Sequence, residues 1–158
     1  MKRVGVVLTC LVCLAVEAPG QELRLGAVRI GLGAAEAPVV AALRESFLVR
    51  QIEGGWDVHS RDTSDLRAPV VGIGTQNGRV TSVSFLWGPG PTPSVEHVSE
   101  QLSYALPSNA ECQIRNVVRP SEGGIVRTLT FQCGKTIVRS QTGTWAAGNT
   151  ASLSIEQE

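Results

Sequence analysis

Asp57, His59, Asp62 and Asp65 place three carboxylates and an imidazole in one short stretch. These are the donor types that hold a divalent cation or share a proton between an acid and a base. Asp57 and His59 fall on the same side of a strand of alternating character, Trp56-Asp57-Val58-His59, and the other two follow in a turn rich in Arg and Asp. Their spacing matches no established ligand set. The plain reading is a solvated strand face and turn, with a metal-dependent or hydrolytic site as the alternative. A Ser-His-Asp arrangement would need one of the two histidines, His59 or His97, in a defended site. His97 lies off the apolar stripe of its helix and is expected to face solvent.

Gly31-Leu32-Gly33-Ala34-Ala35-Glu36 follows an apolar stretch and opens a helical one, the setting of a phosphate-cradling loop. Glu36 occupies the third glycine position, where a carboxylate would repel a pyrophosphate at the helix amino end. The segments that follow read as antiparallel hairpins and not as βαβ units. This is a glycine turn into a helix. No nucleotide, metal or other cofactor is called for.

The tryptophans are the better lead. Trp145 stands in Thr142-Gly143-Thr144-Trp145-Ala146-Ala147-Gly148-Asn149, which reads as a small-residue loop between the last two strands, where the ring either anchors a partner or tucks under its own sheet as core. Trp56 and Trp87 sit on strands and are expected to tuck against the core.

Four cysteines are present, Cys10, Cys13, Cys112 and Cys133. The first two lie in an apolar run, Val4 to Val16, preceded by Lys2-Arg3 and followed by Ala18-Pro19-Gly20. That is the order of a secretory signal peptide, which we place at 1–20, and the run is too short to span a bilayer. Cys112 and Cys133 remain. A hairpin with Glu122-Gly123 as its two-residue loop pairs Ser121 with Gly124. Counting outward, it pairs Ile114 with Phe131 and Cys112 with Cys133. The cysteines then occupy a non-hydrogen-bonded pair, where side chains approach closely enough for a disulfide. The same register puts Pro120 where its missing N–H is not needed in that ladder. No Cys-X-X-Cys remains after the leader and no histidine sits near either cysteine in sequence, so the bridge reads as structural rather than redox-active.

Stepping outward to the elements, two helical stretches are expected. One covers 35–46, with Val39, Val40, Leu43 and Phe47 at three- and four-residue spacing. The other follows Thr92-Pro93 as cap and first residue, with Val95, Val98, Leu102, Ala105 and Leu106 as its stripe and Glu96, Glu100 and Gln101 facing out. Asn77-Gly78 signals a hairpin between 70–75 and 80–87. With a three-residue loop it would set Val71 opposite Val83 and Ile73 opposite Thr81. Further strands are expected near 110–119, 125–133, 136–141 and 150–157. Gly134-Lys135 is expected as a tight turn that sets Phe131 opposite Val138. The Gly88–Pro93 stretch is the strongest punctuation in the chain. It suggests one α+β domain over 21–158 built as two helix-then-antiparallel-strands halves, 27–88 and 93–157, with a linker at 88–93.

Losing Lys2, Arg3 and Glu17 with the leader takes 14 basic and 14 acidic residues to 12 and 13, a net charge of −1. A near-neutral surface gives no reason to expect nucleic acid or an anionic membrane as a partner. The mature chain holds no segment long enough to cross a membrane, and nothing in it sets an oligomeric state.

Ile30-Gly31-Leu32 leading into Val39, Val40 and Leu43, then Asn77-Gly78-Arg79-Val80, resembles the repeat of small exported α+β modules, the group of BamE (SmpA) and the β-lactamase inhibitor protein. The chain departs from BamE in having no lipid-anchor cysteine, and no inhibitor contact residue can be matched. The resemblance implies a binding or scaffold role outside the cytoplasm. The expectation is therefore a non-enzymatic exported protein, periplasmic or secreted, that binds another envelope or extracellular protein. An exported enzyme using the His59/Asp57 region and a small-ligand carrier are the alternatives.

Overall fold

A computed structural model describes residues 21–63, 69–87, 93–108, 110–145 and 148–158. The expected signal peptide, Asp65 and most of the 88–93 stretch lie outside the described residues.

Alternating sequence dominates the chain and becomes strand. A short hairpin, β1 (Glu22–Leu25) and β2 (Val28–Gly31), precedes α1 (Glu36–Arg44). Then come β3 (Leu48–Ile52), β4 (Gly55–His59), β5 (Val71–Gln76) and β6 (Arg79–Trp87). After α2 (Val95–Ala105) follow β7 (Gln113–Ser121), β8 (Gly124–Cys133), β9 (Thr136–Trp145) and β10 (Gly148–Gln157). β3 to β10 form one antiparallel sheet in the order β3-β4-β5-β6-β10-β9-β8-β7. The expected α+β fold in two helix-then-strand halves is thus corrected. The described chain is mostly β, with two helices against ten strands, and one eight-stranded sheet runs through it. The glycine-proline stretch misled because it interrupts the chain but not the sheet. β6 before it pairs with β10 far beyond it, Val83 opposite Ile155 and Phe85 opposite Leu153.

Strand periodicity decides which face is covered. Val58, Val71, Ile73, Val83, Phe85, Val138, Leu153 and Ile155 share one face and are buried. Leu23 and Ile30 of the first hairpin, Val39 and Leu43 of α1 and Ala105 of α2 pack onto them. Both helices and the β1–β2 hairpin therefore lie on one side of the sheet. At about 25 cal/mol per Å² of apolar area, this layer is the main favourable term holding the sheet in shape.

Several local expectations change. Ser94, not Thr92, caps α2: its hydroxyl oxygen accepts from the His97 backbone N–H at 3.2 Å. Gln101 points inward and is buried. The Arg24 backbone N–H donates to its side-chain oxygen (2.9 Å), and its amide donates to the Arg24 carbonyl (3.0 Å). β1 has a second neighbour only because α2 offers this two-point contact, and helical periodicity could not announce it. The β5–β6 turn is the two residues Asn77 and Gly78, both at positive φ (53° and 72°), as a type I′ turn requires. A bulge at Gly74/Thr75 then shifts the ladder, so Val71 faces Phe85 and Ile73 faces Val83. The register is two residues from the expected one. Because the shift is even, Val83, Phe85 and Trp87 keep the face expected of them.

The second hairpin follows its predicted register throughout, from Ser121↔Gly124 out to Gln113↔Gln132. Cys112 and Cys133 form a disulfide with Cα atoms 4.3 Å apart, the spacing of a non-hydrogen-bonded pair. Phe131 also faces Val138 as expected. No described helix is long and apolar enough to cross a membrane.

Candidate functional site

The face of the sheet opposite the helices carries the candidate site. One row crosses all eight strands in register: Arg115, Thr130, Arg139, Ser154, Ser84, Gly72, Asp57, Arg50. The next row reads Val117, Thr128, Gln141, Ser152, Leu86 across β7 to β6. Serine, threonine and glycine recur here because no described helix packs on this face, and short hydroxyl side chains keep a strand solvated without building a second core.

Trp145 is the large exception. The expected loop at 142–149 is mostly strand: β9 runs through Trp145, whose neighbours in register are Gly124 on β8 and Gly148 on β10. The indole lies flat on this face, half-buried, and its N–H donates to the Thr150 hydroxyl at 3.2 Å. It lies above two glycines. A Cβ on Gly124 would come within 2.6 Å of the ring, and one on Gly143 within 2.6 Å of the indole nitrogen. The small residues that imitate a loop in sequence are a cradle for a ring. Their parity with Trp145 along β9 was the signal that could have found it, since 143 and 145 share a face.

Two adjoining depressions lie on this face, the first against the ring. One lies between Trp145, Leu86 and Ser152, the other between Arg115, Arg119 and Thr130, and Val126 and Gln141 line both. Arg139 is paired with Glu156. Arg115 and Arg119 have no ion pair or hydrogen bond among the described residues, so the depression they line presents two free guanidinium groups on the same face as the ring. Sequence reasoning did not single out these arginines. They emerge only when β7 is placed at the edge of the sheet and its odd-numbered residues are assigned to the uncovered side.

The polar cluster is not drawn together. His59 is fully buried, and neither ring nitrogen has a hydrogen-bond partner. Asp57 shares its face two residues along β4, about 7 Å away, beyond hydrogen-bonding reach. Asp62 is exposed, and its backbone N–H donates to the Ser60 hydroxyl at 3.4 Å. Among the described residues no group of three His, Cys, Asp or Glu side chains could hold a metal ion. Arg61, in the same turn, donates to the Arg44 and Glu45 carbonyls at 2.8 and 2.7 Å, a cation closing the carboxyl end of α1.

The Gly31–Glu36 loop is likewise spent on structure. The Gly33 and Glu36 N–H groups donate to the Val80 and Gly78 carbonyls, and Arg79 donates to the Gly33 carbonyl at 2.7 Å. The Leu32, Gly33, Ala34 and Glu36 N–H groups are all engaged within the chain and do not converge on a phosphate. Trp56 and Trp87 lie on the covered face, partly buried against the core. The Trp56 indole donates to the Glu36 carboxylate at 2.7 Å, and Trp87 stacks on Phe85 with centroids 5.7 Å apart. His97 is exposed, with its ring edge-on to Trp87.

No protein-family model, no curated protein and no solved structure matches the chain.

Proposed function

We propose that this chain is a non-enzymatic protein-binding module, exported to a periplasm or beyond the cell, and that it receives its partner on the helix-free face of the sheet at Trp145. The supporting observation is the Trp145 ring held flat over Gly124 and Gly143, on the face that also carries Arg115 and Arg119, which have no partner among the described residues. Tryptophan and arginine are the residue types that carry most binding energy at interfaces, and a ring fixed before contact loses little entropy on binding. The hydroxyl and amide groups around it, Thr128, Thr130, Gln141 and Ser152, can exchange water for a partner's polar groups. Two free guanidinium groups favour a partner that presents carboxylates.

The test is site-specific photocrosslinking in the source cell. A photoreactive residue at Gln141, in the middle of the face, should capture a discrete partner, and adding Trp145→Ala should abolish the product. The same residue at Glu45, exposed beside α1, should capture nothing. Equal crosslinks from both positions, or a Gln141 product indifferent to Trp145→Ala, would remove this surface from consideration.

A further inference from the structure

The free edge of the sheet has its own chemistry, independent of the open face. β7 pairs with β8 on one side and with no described strand on the other, and eight of its nine residues are exposed, Val117 alone being half-buried. In the two-residue hairpin, Ser121 and Gly124 form the first hydrogen-bonded pair, and such pairs alternate outward. Residues 113, 115, 117, 119 and 121 therefore spend their backbone groups on β8. Ile114, Asn116 and Val118 turn theirs outward, where no described residue meets them. Pro120 has the same parity, so its missing donor lies on the outer side and closes the edge at that end.

The side chains of the outward-bonding residues lie on the helix-bearing face of the sheet, but past the reach of the helices, which pack on β2, β3, β1 and β10. Ile114 is 64% exposed and Val118 53%, and Ile125 on β8 lies close by at 56%. Long, apolar, unpaired edges recruit another strand unless they are blunted.

We infer that β7 pairs antiparallel with β7 of a second copy about a two-fold axis at Asn116, giving a homodimer whose sheet runs unbroken through both chains. The strand is self-complementary in this register. Asn116 meets Asn116 of the second copy, and Ile114 and Val118 each meet the other's counterpart, so both exposed aliphatic side chains gain an apolar partner. The three outward residues supply about six backbone hydrogen bonds. On the opposite face, Arg115 falls across from Val117 and Arg119 across from Gln113, with Arg115 diagonal to Arg115 and Arg119 of the second copy, a like-charge cost that added salt should relieve. The axis stands perpendicular to the sheet and leaves both helix-free faces on the same side. This isologous contact closes at two copies, because each β7 has one free side.

The test uses the full chain, expressed and purified with its disulfide intact. Analytical ultracentrifugation at tens of micromolar should give a dimer, and Val118→Lys should give a monomer. Val118→Pro should also give a monomer while retaining the circular-dichroism spectrum, because it deletes a donor that β8 does not use. Asn116→Cys should be joined to its counterpart by a short bis-maleimide crosslinker, which spans a hydrogen-bonded pair, whereas Arg127→Cys, on β8 and away from the axis, should not. A wild-type monomer at these concentrations would overturn the inference. So would a dimer that survives Val118→Lys and Val118→Pro, or one that Asn116→Cys fails to trap.

Discussion

The Trp145 indole lies over Gly143 so closely that a Cβ at position 143 would reach 2.6 Å from the ring nitrogen and 2.7 Å from the Thr150 hydroxyl that the nitrogen bonds. The glycine and the tryptophan are one device. Gly143→Val is expected to lift the ring off the sheet and break the bond to Thr150. Overpacking of this kind costs about 1–3 kcal/mol. Capture at Gln141 should fall as it does for Trp145→Ala, and the near-ultraviolet circular dichroism of the tryptophans should change. If Gly143→Val keeps both, the cradle is not what orients the ring.

The Cys112–Cys133 bridge joins strand ends 21 residues apart. In the chain-entropy treatment a loop of this length contributes about 3 kcal/mol. Cys112→Ser with Cys133→Ser should lower the free energy of unfolding by about that amount in denaturant titration. The spectrum should stay native, since Gln113 to Ser121 retain their ladder with β8. A loss of less than about 1 kcal/mol would mean that the hairpin is already closed in the unfolded ensemble.

Gln101 satisfies both backbone groups of Arg24 from a buried position. Gln101→Leu keeps the volume and strands an N–H and a carbonyl. Leaving such groups unmet costs about 1–3 kcal/mol each. Ser99→Ala, exposed on the same helix, should stay within about 0.5 kcal/mol of wild type. Thermal unfolding of the two variants checks the contrast.

His59 bears on the catalytic alternative. A buried imidazole with neither nitrogen bonded is a destabilising feature in its own right. His59→Leu is expected to raise stability by about 1 kcal/mol and to leave partner capture at Gln141 unchanged. A variant that folds well but loses function would reinstate a chemical role for His59.

The local parts of this architecture were legible because their causes are local. Asn77-Gly78 and Glu122-Gly123 each make a two-residue turn, and once a turn is set the ladder counts itself outward, which is how Cys112 met Cys133. The stripe of Val39, Val40 and Leu43 declared α1 by its spacing alone. At Asn77-Gly78 the loop has two residues where three were expected, and the bulge at Gly74/Thr75 adds one more, so the count slipped by two, although the face of Val83 and Phe85 survived because an even shift preserves parity.

Other features depended on neighbours distant in the chain. β6 and β10 are about 70 residues apart, and no periodicity records that Val83 will meet Ile155. Gln101 looked like a solvent residue because its partner is the backbone of β1, and Trp145 looked like a loop residue because its glycines suited both readings. Sequence by itself determined the Glu122-Gly123 hairpin with its disulfide, the place of the Asn77-Gly78 turn and the inward face of α1, since turn geometry and side-chain period act over a few residues. Tertiary structure decided that all strands after α1 share one sheet, that both helices cover one side, and that Trp145, Arg115 and Arg119 face the other. These depend on which apolar faces meet when the chain closes on itself, and that is settled by burial summed over the whole molecule.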